Sequence, residues 1–428
     1  MSTLFISIGI DVGADFSFMS IALPNQTLFG KPFKIVHANL NSLEKAVSII
    51  KEAEDLYSMK VRIIMESTGA YHYPLFCYLR DKGLCVAVIN PIISKNSTNM
   101  NIRKVHNDKF DSKKLALIGL KPDLKVSIVP SEAILDLRNL VREYYNLMDD
   151  RVSYVNKLTG ILKISFPLYR RVFSKITIQT SLALLENYQS PNDFLLAREE
   201  TIVGIIRNTA RFGESYAKTK YQMLIEVAHS ATKFGHFVAS NAYQIRMCVS
   251  FIKQHDEEIF EVLSQIRELI ERHSDKEFVR QIQLIESIPG AGFLTAVTVI
   301  AEIGDFSAFS SPKQLFAFFG LDPAVKQSGK FVGTQVKMSK RGSAIARRAI
   351  FTIALVSIGI NRKGVANNQV LRDCYLLKCK SKPKMVAIGV VMHKVCNIIF
   401  AILRDNKEFV VITPDEHKAT YLSNQLTV

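Results

Sequence analysis

The chain has 428 residues, with 55 Lys and Arg against 39 Asp and Glu and a formal charge of +16. Hydrophobic residues make up 48% and charged residues 22%, enough apolar material for packed cores, which excludes global disorder. The length predicts two or three domains at roughly 100–200 residues each, and the positive balance points to a polyanion, either nucleic acid or an anionic membrane surface.

The first stretch reads as α/β. Strands are predicted over Leu4–Ile10, Phe16–Leu23 and Leu28–Ile35, then a helix over Asn41–Ala53 with Ser42 near its start as a cap. Val61–Met65 is a β-branched strand ending at Glu66. Tyr73–Lys82 is a helix closed by Gly83, Cys85–Ile89 is a strand, and Asp111–Leu120 is a helix. This order predicts a mixed sheet flanked by helices. From about residue 130 to 285 glycine is sparse and helical spacing dominates. Leu135, Leu137, Leu140, Val141, Tyr144 and Leu147 form one stripe, continued by Val152, Val155 and Leu158. Ile259, Val262, Leu263, Ile266, Leu269 and Ile270 form another within Gln254–His273, interleaved with charges. The pattern suits core packing or a coiled coil, and oligomerisation through the two long helices is expected. Phe166-Pro167 and Ser190-Pro191 break the pattern.

Beyond residue 281, Ile288-Pro289-Gly290-Ala291-Gly292 joins helical patterns over Val279–Ser287 and Phe293–Ile303. This is the outline of a helix-hairpin-helix, whose Gly290 and Gly292 would let backbone N–H groups approach a phosphate. A PGxG turn is as often only a turn. Lys326–Ser343 reads as irregular or a hairpin, followed by helices over Ala344–Ile358 and Lys384–Leu403.

The six cysteines form no CxxC pair and no His–Cys cluster of zinc spacing, so they read as reduced thiols of a cytoplasmic protein. The N-terminus reaches Asp11 without a basic region or small-residue cleavage site, unlike a signal peptide. No apolar run is expected to approach the ~20 residues of a membrane span. The longest, Ala349–Ile360, suits a buried helix of about 12 residues. Nucleic acid is therefore the expected partner, with no membrane.

Two features carry chemistry. Asp11 follows the first strand and Glu66 a later one, and Asp108 and Asp111 stand three apart at the start of a helix, on one face. Carboxylates at the carboxyl ends of buried strands are costly unless paired, exposed or on a metal. Four converging ones call for a hard cation, Mg2+ or Mn2+, able to serve phosphodiester chemistry. Taken singly, Asp108 serves equally as a helix N-cap with Asp111 as its companion, and Asp11 as a turn residue. The second feature is Pro323–Arg372, which lacks Asp and Glu but holds ten cations: Lys326, Lys330, Lys337, Lys340, Arg341, Arg347, Arg348, Arg362, Lys363 and Arg372. Such a window is a phosphate-contact surface on electrostatic grounds. Ser328 lies in its flexible basic turn, yet chemistry alone prefers it to neither Ser339 nor Ser343.

The segments GIDVGAD, IIMESTGAYHYPL, VAVINP and NDKFDSKKLA resemble the RuvC-like (RNase H superfamily) DEDD domain of IS110-family transposases, and the resemblance resumes from about 281 to 405. It implies an α/β RNase H/RuvC-like domain over 1–125, a long helical or coiled-coil region over 126–280, and a mainly α transposase domain over 281–428. It implies that Asp11, Glu66, Asp108 and Asp111 bind the metal. Within FAFFGLDPAVKQSGKFVGTQVKMSKRGSAIARRAIF, it implies that Ser328 is the nucleophile forming a phosphoserine link to DNA. Ser339, Lys340 and Gly342 match a downstream motif, read as nucleic-acid-contacting together with Lys104, Lys326, Lys330, Lys337, Arg341, Arg347 and Arg348. The family further implies double-stranded DNA as substrate, a structured guide RNA, and dimers pairing into tetramers. A structure-selective endonuclease without serine chemistry, and a non-catalytic nucleic-acid-binding protein, are the alternatives.

Overall fold

The computed structural model describes residues 5–66, 71–89, 107–121, 124, 130–209, 213–322, 327–328, 331–332, 338–412 and 416, with 327–328 and 331–332 in backbone only. The chain divides into two compact units, Met1–Pro130 and Ser131–Val428.

The first unit is built on a five-stranded mixed sheet. Strands β1 (Ile6–Val12), β2 (Phe16–Ala22) and β3 (Leu28–Val36) form an antiparallel meander. Helix α1 (Leu40–Tyr57) then crosses to β4 (Val61–Glu66), parallel to β1, and α2 (His72–Asp81) crosses to β5 (Val86–Ile89). The order is β3-β2-β1-β4-β5. Alternation along β1 sorts its side chains. Ile6, Ile8 and Ile10 join Ala46, Val47 and Ile50 of α1 and Leu75, Phe76 and Leu79 of α2 in one core. A fully buried Ile or Leu contributes about 1.5–3 kcal/mol. Ser7, Gly9 and Asp11 face the other side, which α3 (Asp108–Gly119) covers through Leu115 and Ile118 against Ile64 and Ile89.

Boundaries shift where hydrogen bonding overrides pattern. Asp11 was expected just past its strand. The Val12–Ser17 pair continues the hairpin and holds Asp11 inside β1, opposite Phe18. The N-cap of α1 is Asn39, which accepts from Ser42 N at 3.2 Å, while Ser42 Oγ accepts from Val36 N. Gly83 closes α2 with φ +80, donating to Arg80 O.

The second unit is helical. Helices α4 (Glu132–Ser165) and α10 (Ala239–Arg272) lie antiparallel, joined by the Arg151–Asp256 ion pair at 2.5 Å and by Tyr154 stacked on Phe251 at 4.6 Å. Their apolar stripes meet within the chain. One end of the pair, Leu158 and Leu162 with Ile245 and Val249, joins a core closed by α5–α9 (Tyr169–Val172, Gln179–Asn187, Pro191–Leu196, Glu199–Thr209, Glu214–Phe234). Pro191, expected as a breaker, opens α7 behind a Ser190–Asp193 capping box. The other end, Leu137 and Val141 with Ile266 and Leu269, joins the core of α11–α16. These are Glu277–Glu286, Phe293–Ile303, Pro312–Phe318, Ala344–Ser357, Gln369–Cys379 and Lys384–Asp405. Two-residue strands β6 (Gln327–Ser328) and β7 (Phe331–Val332) lie between α13 and α14.

One expectation is corrected. Helix α16 has 22 residues and is long and apolar enough by composition to cross a membrane. Its Lys384, His393, Lys394 and Asn397 interrupt the apolar run but leave the average high. Val391, Val395, Cys396 and Ile399 are fully buried in the unit's core. None of the six cysteines is paired.

Candidate functional site

The carboxylates are positioned by one close contact. A Cβ on Gly9 would lie 2.1 Å from Ala116 N and 2.3 Å from Ser112 O, so α3 rests directly on the β1 backbone. A Cβ on Gly119 would meet Ser7 Oγ at 2.1 Å at the other end of the helix. Only glycine permits this approach at each point. Ser112 Oγ bonds Ser20 Oγ of β2 at 2.8 Å in the buried seam. The first turn of α3 is thereby held beside the end of β1. The β1–β4 register, Gly9 with Ile64 and Ile10 with Met65, brings Glu66 level with Asp11 one step on.

Asn107 caps α3, its side chain accepting from Lys109 N at 3.0 Å. The capping role that the sequence allowed for Asp108 therefore belongs to its neighbour. Asp108 is exposed in the first turn, and Asp111 is half-buried. The Asp11 carboxyl is pushed up to about 6, first by burial, then by the charges of Asp111, Asp108 and Glu66. Three carboxylates from two other elements thus act on Asp11. Their side chains stand spread: among the described residues no three His, Cys, Asp or Glu groups are close enough to share one ion. Hard oxygen donors of this kind suit a divalent ion.

The second candidate segment is described only in part. Ser328 pairs with Phe331, and Gln327 with Val332, in the β6–β7 hairpin. Lys104, Lys326, Lys330 and Lys337 lie outside the described residues. Ser339 donates from both N and Oγ to Asp322, at its carbonyl and carboxylate. Lys340 and Arg341 are exposed. Arg347 donates through Nη1 to the carbonyls of Phe319 at 3.1 Å and Gly342 at 2.9 Å, which gives it a bracing role in the fold. Arg348 pairs with Asp149 at 2.8 Å and lies over the Tyr145 ring. The hairpin glycines separate in the same way. Gly290, at φ +108, is pressed on Ser357, whose Oγ donates to Pro289 O, whereas a Cβ on Gly292 meets nothing within 4 Å. Sequence reading missed Gly9, Gly119 and Asp322; a glycine two residues before a strand carboxylate was the available signal.

Carboxylates at the edge of an α/β sheet, and exposed Lys340 and Arg341 in a helical unit, are the chemistry-bearing groups of the two units. A family profile described as "Transposase" matches residues 8–167, and one described as "Transposase IS116/IS110/IS902 family" matches 282–369. Together they take in more than half of the chain, which belongs to the IS110 family of transposases. The chain is 26% identical over 309 residues to the insertion element IS900 uncharacterized 42 kDa protein of Mycobacterium paratuberculosis, covering 70% of this chain and 72% of that one. It is 30% identical over 165 residues to the pilin gene-inverting protein of Moraxella bovis, covering 39% and 47%. A solved structure, T. thermophilus RuvC in complex with Holliday junction substrate, matches with TM-score 0.20 and 10% identity, over 26% of this chain and 90% of that one.

Proposed function

We propose that this transposase cuts and rejoins double-stranded DNA with two chemistries carried on separate segments: Asp11, Glu66, Asp108 and Asp111 hold Mg2+ or Mn2+, and Ser328 attacks a backbone phosphate. The observation that carries the reading is the Asp11 carboxyl, raised to about 6 by burial first and then by the charges of Asp111, Asp108 and Glu66 from β4 and α3. Such a cluster of hard, like-charged oxygen donors calls for a cation. A divalent ion bound there supplies stabilisation of charge developing on phosphate oxygens. The chain's own residues orient the rest. In the serine step Oγ bonds to phosphorus, a deoxyribose oxygen leaves, and the hydroxyl proton goes to solvent or a nearby base. A strand end attacking the phosphoserine reverses the step and joins new partners. Exposed Lys340 and Arg341, with Lys104, Lys326, Lys330 and Lys337, supply phosphate contacts. The work divides among 1–125, 126–280 and 281–428. A guide RNA and assembly of dimers into tetramers follow from the family, and the inversion named for the Moraxella relative accords with strand exchange.

The test is a denaturing trap for protein–DNA adducts. The full chain is incubated with Mg2+, a plasmid bearing the element's ends, and the flanking non-coding RNA. Ser328→Ala should lose the adduct and strand exchange but keep DNA binding, and Asp11→Ala and Glu66→Ala should lose metal-dependent cleavage. Cleavage surviving in Ser328→Ala would instead support a structure-selective endonuclease. Unchanged behaviour in the carboxylate variants would support a non-catalytic binding protein.

A further inference from the structure

Where the chain leaves α13 and where it returns before α14, two short stretches lie back to back. Ser339 N donates to Asp322 O at 2.7 Å, Ser339 Oγ donates to the Asp322 carboxylate, and Lys340 N donates to Gly320 O at 3.0 Å. Glycines make the approach possible. Gly320 sits at φ +65 against the backbone of Lys340–Gly342, and a Cβ on Gly342 would fall 1.8 Å from Phe318 O. Lys340 itself holds φ +55, which a lysine rarely adopts and which persists only when its surroundings enforce it. Arg347 ties both stretches, through the carbonyls of Phe319 and Gly342.

Asp322 is the last carboxylate before the acid-free window that ends at Arg372. A carboxylate beside so many cations would ordinarily take one of them. Among the described residues, no Lys or Arg lies within ion-pair distance of it. Its side chain takes a serine hydroxyl instead, a charge-assisted hydrogen bond that consumes no positive charge. Exposed Lys340 and Arg341 are thus not drawn to Asp322.

We infer that Asp322 is a positioning residue for the serine chemistry: with Ser339 it forms a latch at the base of the segment that carries Ser328. The inference rests on the nucleophilic role proposed for Ser328. Both ends of that segment are tied by one residue pair, through side chain and backbone together. The entropy of bringing the two ends together is thus met before DNA arrives. Ser339, read from sequence as a nucleic-acid contact, acts here through Asp322.

The test compares Asp322→Ala, Asp322→Asn, Ser339→Ala, the Asp322→Ala/Ser339→Ala double variant and Ser328→Ala in the full chain. Three readouts are taken: rate of adduct formation, DNA affinity, and amide exchange across the chain between Asp322 and Ser339. A latch predicts that Asp322→Ala and Ser339→Ala each slow the adduct roughly 10–100-fold. The double variant should be no slower than either single one, because the two residues act as a unit. DNA affinity should stay within about twofold, and exchange should rise in that stretch alone. Asp322→Asn should recover most of the rate, since its amide oxygen accepts the same hydrogen bond. Wild-type rate and exchange in Asp322→Ala and Ser339→Ala would overturn the latch. So would an Asp322→Asn as slow as Asp322→Ala with exchange unchanged, which would assign Asp322 to proton transfer. If Ser328→Ala still forms the adduct, the nucleophile assignment fails while the exchange measurement still decides the latch.

Discussion

Replacing Gly9 with alanine tests how the carboxylates are brought together. The new Cβ would stand 2.1 Å from Ala116 N, against the 3.4 Å at which ordinary contact begins, and the obstacle is helix backbone that cannot rotate away. Helix α3 must therefore retreat by about 1.3 Å. Overpacking of this kind costs about 1–3 kcal/mol, a fall in melting temperature of roughly 4–12 °C for a unit of this size. The larger effect is on chemistry. Asp108 and Asp111 ride on the first turn of that helix, and a 1 Å misplacement costs roughly 10²-fold in rate. The assay is Mg2+-dependent cleavage by the full chain, alongside calorimetry, in which the two units can melt separately. Gly160→Ala is the control: it lies exposed within α4 with nothing within 4 Å of an added Cβ, so it should gain about 0.5–1 kcal/mol. If Gly9→Ala cleaves at the wild-type rate and melts no lower, the close seam does not position the site.

Other outcomes follow from the same geometry. With its folded value near 6 against 3.8 unfolded, Asp11 binds its proton more tightly in the folded state, so stability falls as pH rises from about 4 to 6 and stays reduced above. The shift corresponds to about 3 kcal/mol, which solvent screening of a half-exposed group reduces to about 1–2. Asp11→Asn should gain that amount at pH 8 without metal, flatten the pH dependence of melting, and lose the stabilisation that Mg2+ gives the wild type. Arg142→Ala removes the bidentate partner, at 2.8 and 3.0 Å, of Glu302, which is 3% exposed. Chemical denaturation should read a loss of roughly 3 kcal/mol, and Arg142→Met with Glu302→Leu should recover most of it. Gly290→Ala should destabilise the second unit, since its Cβ would sit 2.6 Å from Ser357 N. Gly292→Ala should leave melting unchanged, and weakened DNA binding in that variant would assign the hairpin a phosphate contact.

Much of the architecture was legible because it depends on local pattern. Alternation in Ile6, Ile8 and Ile10, and helical spacing in Ala46, Val47 and Ile50, follow from backbone periods of 2 and 3.6, and each proved to face the core. Asp11 and Glu66 stood out because acids at strand ends are costly without a purpose, and Asp108 and Asp111 because their spacing of three puts them on one helix face. Partner choice was not legible. The stripes of α4 and α10 satisfy each other within the chain, and an amphipathic pattern alone does not distinguish that from pairing with another copy. Asn107 and Asp108 are equally good caps by composition, and only the path of the backbone selected Asn107.

By itself, then, the sequence determined the α/β unit, the helical unit and the residue types able to hold a metal or meet a phosphate. Which of these groups remain free for chemistry was decided by tertiary structure. Arg347 is spent on carbonyls, Arg348 on Asp149, Ser339 on Asp322 and Gly290 on Ser357. The physical reason is that hydrogen bonds and close contacts are exhausted by whichever neighbour the fold supplies, and those neighbours lie from 5 to 199 residues away in sequence.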